Sequence, residues 1–275
     1  MPASNKLDRL SALLQGLAPR IEVTRPAPGC TTLVMEPEEQ PLLYLHLATK
    51  GGLSLALAGQ EARRIHVPAI LVCRADARHR LTALPGTSLE SVVCTKAYLE
   101  GPVAPLLLSE FAQPLVVPLT ETGCALNRVI GLICAEVAEP RCGQPALLAR
   151  AGDILFIGLL RHLVAHPRTQ GGLLSGLSDP RIASTLVAMH SAPQSDWSLE
   201  SLASTAGMSR TAFATRFRDT MNSPPGKYLG NLRLSIAQRA IESGHGLKRA
   251  ARECGYSNVS ALSRALSRAR VNNRA

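Results

Sequence analysis

The spacing of apolar residues changes along this 275-residue chain, and the changes divide it. From residue 42 the apolar positions fall in short runs: LLYLHLA (42–48), LSLALA (53–58), RRIHV (63–67), AILVC (69–73), RHRLTAL (78–84) and LESVVCT (89–95). Gly51-Gly52, Gly59, Pro68 and Pro85-Gly86 punctuate them. Short strand-like runs at about ten-residue spacing, bounded by turn formers, predict an all-β sandwich or small barrel. After QPLVVPL the period lengthens. ALNRVIGLICAEVAE (125–139) and PALLARAGDILFIGLLRHLVAH (145–166) keep apolar residues at i, i+3, i+4 and i+7, as amphipathic helices do. Their two-sided apolarity predicts packing between domains or between subunits.

Beyond Pro193 the pattern shortens again, in SDWSLESLASTAGMSRTAFATRFRD. Ser198 is placed to cap a helix whose first turn carries Glu200, where the helix dipole favours an acid. Leu199, Leu202, Ala203 and Ala206 form its apolar face. Gly207 stops it, since glycine enters the left-handed conformation cheaply, and Ser209 starts the next helix. Helix, glycine turn, helix is the helix-turn-helix outline. A repeat sharpens it: Leu199, Ala203, Gly207 and Ser209 recur 48 residues later as Leu247, Ala251, Gly255 and Ser257. After one inserted residue, Leu262 and Leu266 take the places of Phe213 and Phe217. PPGKYLGNLRLSIAQRAIES, between the copies, opens on a double proline and keeps helical period.

Charge gives this repeat a purpose. Residues 1–180 hold 16 Lys/Arg against 15 Asp/Glu, whereas residues 181–275 hold 14 against 5. Nearly all of the net +10 therefore sits on the last third, as in a module that binds a polyanion, most simply nucleic acid. At 100° per residue Phe213 and Phe217 share the core face of their helix, and Thr211, Thr215 and Arg218 point away from it. Leu262 and Leu266 define the same face in the second copy, leaving Arg264 directly opposite with Ser260, Ser267 and Arg268 beside it. Thr211, Thr215, Ser260 and Arg264 are thus the expected base-reading residues, Arg264 by bidentate bonding to a guanine edge. Arg210, Arg216, Arg218, Arg268 and Arg270 are the expected phosphate contacts, which supply affinity and salt dependence.

The seven cysteines (30, 73, 94, 124, 134, 142 and 254) form no CxxC pair, and an odd, scattered set suits a reducing cytoplasm. Reactive thiols need nearby positive charge. Cys73, followed by Arg74, and Cys142, preceded by Arg141, are the candidate redox sensors; the alternative is that they are small buried hydrophobes. His46, His66 and His79 stand isolated in sequence, so neither a metal nor a cofactor is expected. The N-terminal stretch carries Asp8 and no long apolar run, unlike a secretory leader. DILFIGLLRHLVA is too short and too charged for a membrane span.

The tandem WSLESLASTAGMSRTAFATRFR, PPGKYLGNLRLSIAQRAI and AARECGYSNVSALSRAL closely resembles the DNA-binding domain of AraC/XylS-family transcription regulators. YLHLATKGGLSLALAGQ, RHRLTAL and GGLLSGLSDPRIASTLVAMHSAP resemble, more loosely, the cupin-type sensor half of the same family. The resemblance implies an α+β protein: a cupin-like β-barrel sensor over 1–120, a helical dimerisation or interdomain segment over 121–178, and tandem helix-turn-helix units over 179–275. It implies a cytoplasmic homodimer without enzymatic activity that binds an operator in double-stranded DNA, answers to a small-molecule or redox signal, and activates transcription with RNA polymerase. The two second helices would enter successive major-groove segments about one turn (~34 Å) apart. The sequence departs from the family in several places. Val67-Pro68 stands where Gly-Asp is usual, the His-x-His…Glu set of metal-binding cupins is missing, and SRARVNNRA replaces a Gly…Pro…Tyr-Arg continuation. With Leu266 in place of an aromatic, a thinner second core is expected. The alternatives are a non-specific nucleic-acid adaptor and, with less support, a cupin enzyme.

Overall fold

A computed structural model describes residues 8–168 and 171–272, with side chains through Arg268. Helix α1 (Arg9–Leu17) is followed by strands β1 (Pro19–Thr24), β2 (Thr32–Met35), β3 (Leu42–Ala48), β4 (Leu53–Leu57), β5 (Arg63–Ile65), β6 (Ala69–Arg74), β7 (His79–Ala83) and β8 (Val92–Leu99). Then come α2 (Ala104–Leu108), β9 (Leu115–Pro118), α3 (Cys124–Ala138) and α4 (Gln144–Ala165). The last part holds α5 (Leu173–Ser178), α6 (Pro180–Ser191), α7 (Leu199–Thr205), α8 (Arg210–Met221), α9 (Pro225–Glu242), α10 (Leu247–Glu253) and α11 (Val259–Asn272).

The chain divides into two compact units. One comprises Pro19–Glu100 and Leu108–Leu163 and contains both sheets, ordered β1-β8-β3-β6-β9 and β2-β7-β4-β5. Every strand pairing is antiparallel. Alternation turns Leu42, Tyr44 and Ala48 of β3, Leu71 and Cys73 of β6, and Leu53, Leu55 and Leu81 of the second sheet into one shared core. The α+β, cupin-like architecture expected from the sequence is therefore present, with its described strands bonded into two facing sheets. β3 is buried along its whole length, so its second face is covered too. On that side of the sheet α4 lies close against β1: a Cβ on Gly152 would come within 2.6 Å of Ile21.

Strands β1 and β2 precede the first run legible as a strand. β1 is an edge strand of its sheet and β2 of the other, and both keep exposed polar positions. Edge strands need little apolar surface, which leaves a weak hydrophobic signature. The stretch from 89 also differs: Leu89–Ser91 is a 3-10 turn capped by Ser88, and β8 begins at Val92.

The other unit gathers the chain up to Ala18, Gly101–Leu107 and the chain from Val164 onward. The stretch expected as one helical segment over 121–178 is thus shared between the units. α1 packs along α6, and Arg9 donates to the Leu177 carbonyl at 2.8 Å. The Gly101 amide donates to the Leu17 carbonyl at 2.7 Å. In the tandem, α7 packs on α8, α10 on α11, and α9 touches α8, α10 and α11.

Both interhelical turns bend at a left-handed glycine, Gly207 at φ 62° and Gly255 at φ 74°. Their surroundings differ. A Cβ at Gly207 meets open space, whereas at Gly255 it would lie 2.7 Å from the Gln194 backbone. Gly207→Ala should cost about 1–2 kcal/mol from backbone conformation alone. Gly255→Ala should cost distinctly more, because the neighbouring main chain must also shift. Urea unfolding of the two variants checks the order, and equal losses would contradict it.

Candidate nucleic-acid interface

The first helix pair is built as its sequence dictates. Ser198 accepts from the Ser201 amide, and the Ser201 hydroxyl accepts in turn from the Ser198 amide, closing a capping box. Ser209 caps α8 by accepting from the Ala212 amide. Phe213 and Phe217 are fully buried, their rings edge-on with centroids 5.5 Å apart, and Phe217 meets Tyr228 of α9 edge-on at 5.9 Å. Tyr228 also stacks on His190 of α6, with 2.7 Å between its hydroxyl and Nε2. Thr211, Thr215, Arg210 and Arg218 are exposed. Thr211 and Thr215 line a shallow groove with Ser209 and Asp219.

The second pair repeats this in smaller side chains. Ala237, Ala250, Ala251, Cys254 and Leu262 form its core, with Leu266 only partly buried at the margin. Ser260, Arg264 and Arg268 are exposed. The side chain of Arg270 lies outside the described residues. The helix start moves by one residue relative to the simple repeat: Asn258, not Ser257, caps α11, accepting from the Ala261 amide at 2.8 Å. The residue inserted before α11 accounts for the shift.

Three contacts in this unit were not anticipated. Asp179 caps α6 through the amides of Arg181 and Ile182 and also accepts from Arg216 Nε at 2.5 Å. Arg216 is therefore ion-paired within the protein, on the side of α8 next to α6. The Asp179-Pro180 step, with Pro at the first helical position, is a legible helix start; its distant arginine partner is not. Arg233 of α9 donates to the carbonyls of Pro193 and Ser195 at 2.7 and 2.8 Å, tying the linker helix to the segment before α7. Trp197 donates to the Ala192 carbonyl at 2.8 Å.

The sheet unit holds a second polar cluster. Although His46 and His79 are isolated in sequence, the two facing sheets bring them together from β3 and β7, with 2.9 Å between their Nε2 atoms. His46 Nδ1 lies 3.3 Å from Cys94 Sγ, its cross-strand neighbour. His79 Nδ1 lies 3.2 Å from the Ala77 carbonyl. Cys73 completes a group in which one ligand atom from each of His46, Cys73 and His79 lies within 4.8 Å of the others, all buried. Desolvation pushes His46 down to about 3 and lowers His79 as well. Cys73, proposed from sequence as a redox sensor, is likewise inside the core; burial pushes its thiol up to about 12 despite Arg63, and Arg74 is paired with Asp76. Cys142 is exposed. His66, the third histidine of the strand region, is exposed and not part of the cluster.

Comparison with known proteins fits both halves. Residues 8–165 match the cupin family and residues 202–270 match a helix-turn-helix domain. The chain belongs to the cupin family over more than half of its length, and a helix-turn-helix domain follows. It is 38% identical over 166 residues to an AraC-like transcription regulator of Streptomyces antibioticus, covering 59% of this chain and 55% of that protein. It is 27% identical over 201 residues to the RCS-specific HTH-type transcriptional activator RclR of Escherichia coli, covering 72% and 70%. Among solved structures, ToxT from Vibrio cholerae aligns over 90% of this chain and 92% of its own, at 13% identity and a TM-score of 0.37. Several curated relatives are matched over about half of their own length. No described helix is long and apolar enough to cross a membrane.

Asp179 supports a stability prediction with a pH signature. Burial alone would raise its carboxyl, but Arg216 and the two amides outweigh that and hold it below the usual range. Its stabilisation is complete above the unfolded carboxyl pKa of about 4 and is lost as pH falls through the lower folded value. Asp179→Ala should cost about 1 kcal/mol as a lost cap. Asp179→Asn, which can still cap, should remove the acid-limb dependence in that window, measured by thermal unfolding from neutral to acidic pH.

Proposed function

We propose that the protein is a sequence-specific regulator of transcription that reads double-stranded DNA with α8 and α11. The carrying observation is the repeated two-sidedness of these helices: Phe213 and Phe217, or Leu262, are buried on one side, while Thr211, Thr215, Ser260 and Arg264 are exposed on the other. This geometry sits on the part of the chain that holds almost all of its excess positive charge. Arg264 is the principal base reader, and Thr211, Thr215 and Ser260 make weaker contacts. Arg210, Arg218, Arg268 and Arg270 meet phosphates. Arg216 is assigned first to Asp179, with its remaining guanidinium nitrogens as phosphate donors.

The rest of the reading extends from the family to this chain. The cupin half receives a small-molecule or redox signal, the chain works in the cytoplasm as a homodimer, and bound protein activates transcription through RNA polymerase. It has no enzymatic role. Cys142, which is exposed, suits a redox signal better than the buried Cys73 does, with Arg141 itself paired to Glu136. Two observations weigh against a non-specific adaptor: outward-facing exposed positions occur at equivalent points of both repeats, and an acid, Asp219, lies in the α8 groove.

Footprinting of the purified protein upstream of its own and neighbouring genes should reveal a protected site with two subsites about one helical turn apart. Arg264→Ala should weaken binding by about 1–3 kcal/mol and relax the preference at one or two base pairs. Arg218→Ala should instead weaken all sequences alike and lower the salt slope by about one. A steep salt slope without any preferred site would favour the adaptor and overturn specific recognition.

A further inference from the structure

We infer that His46, Cys73 and His79 form a binding site for a single zinc-type divalent cation between the two sheets of the cupin unit. The site does not depend on how the helical unit reads DNA.

The three side chains come from β3, β6 and β7, so both sheets contribute, and each points into the shared interior. One nitrogen or sulfur of each lies within 4.8 Å of the others, and the two Nε2 atoms are 2.9 Å apart. A tetrahedral zinc with bonds of about 2.0–2.3 Å spaces its ligand atoms roughly 3.3–3.8 Å apart. The histidines need to part by under about 1 Å and the thiol to close by about the same, which rotamer adjustment supplies. Two imidazoles and one thiolate form a donor set of intermediate softness, suited to zinc and unsuited to magnesium or calcium.

The surrounding partners favour a chelate over a mere pair of core histidines. His79 Nδ1 faces the Ala77 carbonyl at 3.2 Å, which fixes the proton on Nδ1 and leaves Nε2 with a free electron pair. The metal-free state is then one consistent chain: Cys94 S–H donates to His46 Nδ1, His46 Nε2–H to His79 Nε2, and His79 Nδ1–H to Ala77. On metal binding the His46 proton relocates from Nε2 to Nδ1 and points at Cys94 Sγ, so both Nε2 electron pairs turn to the ion. Cys73 releases its proton to solvent and binds as thiolate. Neither histidine needs Cys73 to satisfy its hydrogen bonds; the thiol on the third side is what makes a chelate of the pair.

The rings are also held in place. Tyr44 stacks on His46 with 5.8 Å between centroids and meets His79 edge-on at 5.3 Å. Tyr44 in turn bonds Glu38, which Lys96 holds at 2.8 Å. A surface cavity of about 380 Å³ lies on the His79 side of the group, lined by His79 together with Val34, Leu57 and Gln60. Among the described residues no fourth His, Cys, Asp or Glu joins the group, so water or a small anion would complete a four-ligand shell.

The test uses untagged, reduced, metal-free full-length protein. Titration with Co²⁺ should give tetrahedral ligand-field bands and a thiolate-to-cobalt charge-transfer band, saturating at one equivalent per chain. Zn²⁺ should displace the cobalt and release a proton, while Mg²⁺ and Ca²⁺ should not. His79→Gln should weaken Zn²⁺ binding at least tenfold, measured by competition with a chromophoric chelator, and Cys73→Ser should abolish the charge-transfer band. Cys124→Ser and Cys142→Ser, both at exposed positions, should leave it unchanged. Should a core variant fail to fold, X-ray absorption of the zinc-loaded wild type decides, with mixed nitrogen and sulfur ligands at about 2.0 and 2.3 Å expected. No stoichiometric binding by the wild type, a shell of oxygen and nitrogen alone, or a band that survives in folded Cys73→Ser would overturn the assignment.

Discussion

The contact on which the helical unit depends is the meeting of three rings, Phe213, Phe217 and Tyr228. A chain with only four phenylalanines spends two of them one turn apart on α8. Aromatic side chains bury more area than aliphatic ones, and edge-to-face contact fixes their relative angle. The rotation of α8 about its own axis is therefore set by its core, and Thr211 and Thr215 face outward as a consequence. α11 obtains the same orientation from Leu262 and a set of alanines. It has less apolar surface to do so, and Leu266 reaches only the margin. The two copies share a geometry without sharing its strength.

The sheet unit follows a different constraint. Strand alternation sends every second residue of β3 inward, and this includes His46 together with Leu42, Tyr44 and Ala48. A polar ring in such an interior is costly unless its nitrogens find partners. His79, Cys94 and, through His79, the Ala77 carbonyl provide them. The result is a small polar island in an aliphatic core, framed by Tyr44 and its link to Glu38 and Lys96.

Much of this was legible from sequence because it is periodic. LLYLHLA is β3 residue for residue, the helix read at 125–139 is α3 within one position, and the 48-residue repeat places both glycine turns. The outward positions of α8 and α11 follow from the same helical arithmetic. What stayed hidden is what periodicity cannot encode. Period two puts His79 on the same face as Leu81, but it gives β3 no preferred face and cannot show that strands 33 residues apart in the chain oppose each other. The Asp179–Arg216 pair joins side chains 37 residues apart by tertiary packing alone. Asn258 as the cap of α11 depended on placing one inserted residue, which similarity between copies did not settle. β1 and β2 escaped because edge strands need little hydrophobic surface.

Arg233 has a consequence for how the two helix pairs work together. Its guanidinium holds two main-chain carbonyls just ahead of the first pair, while α9, from which it projects, forms a wall of the second core. Rolling the connecting helix would break both charge-assisted bonds at once. The two helix pairs are thereby tied to one another through α9, so that the placement of α8 relative to α11 is set inside the protein.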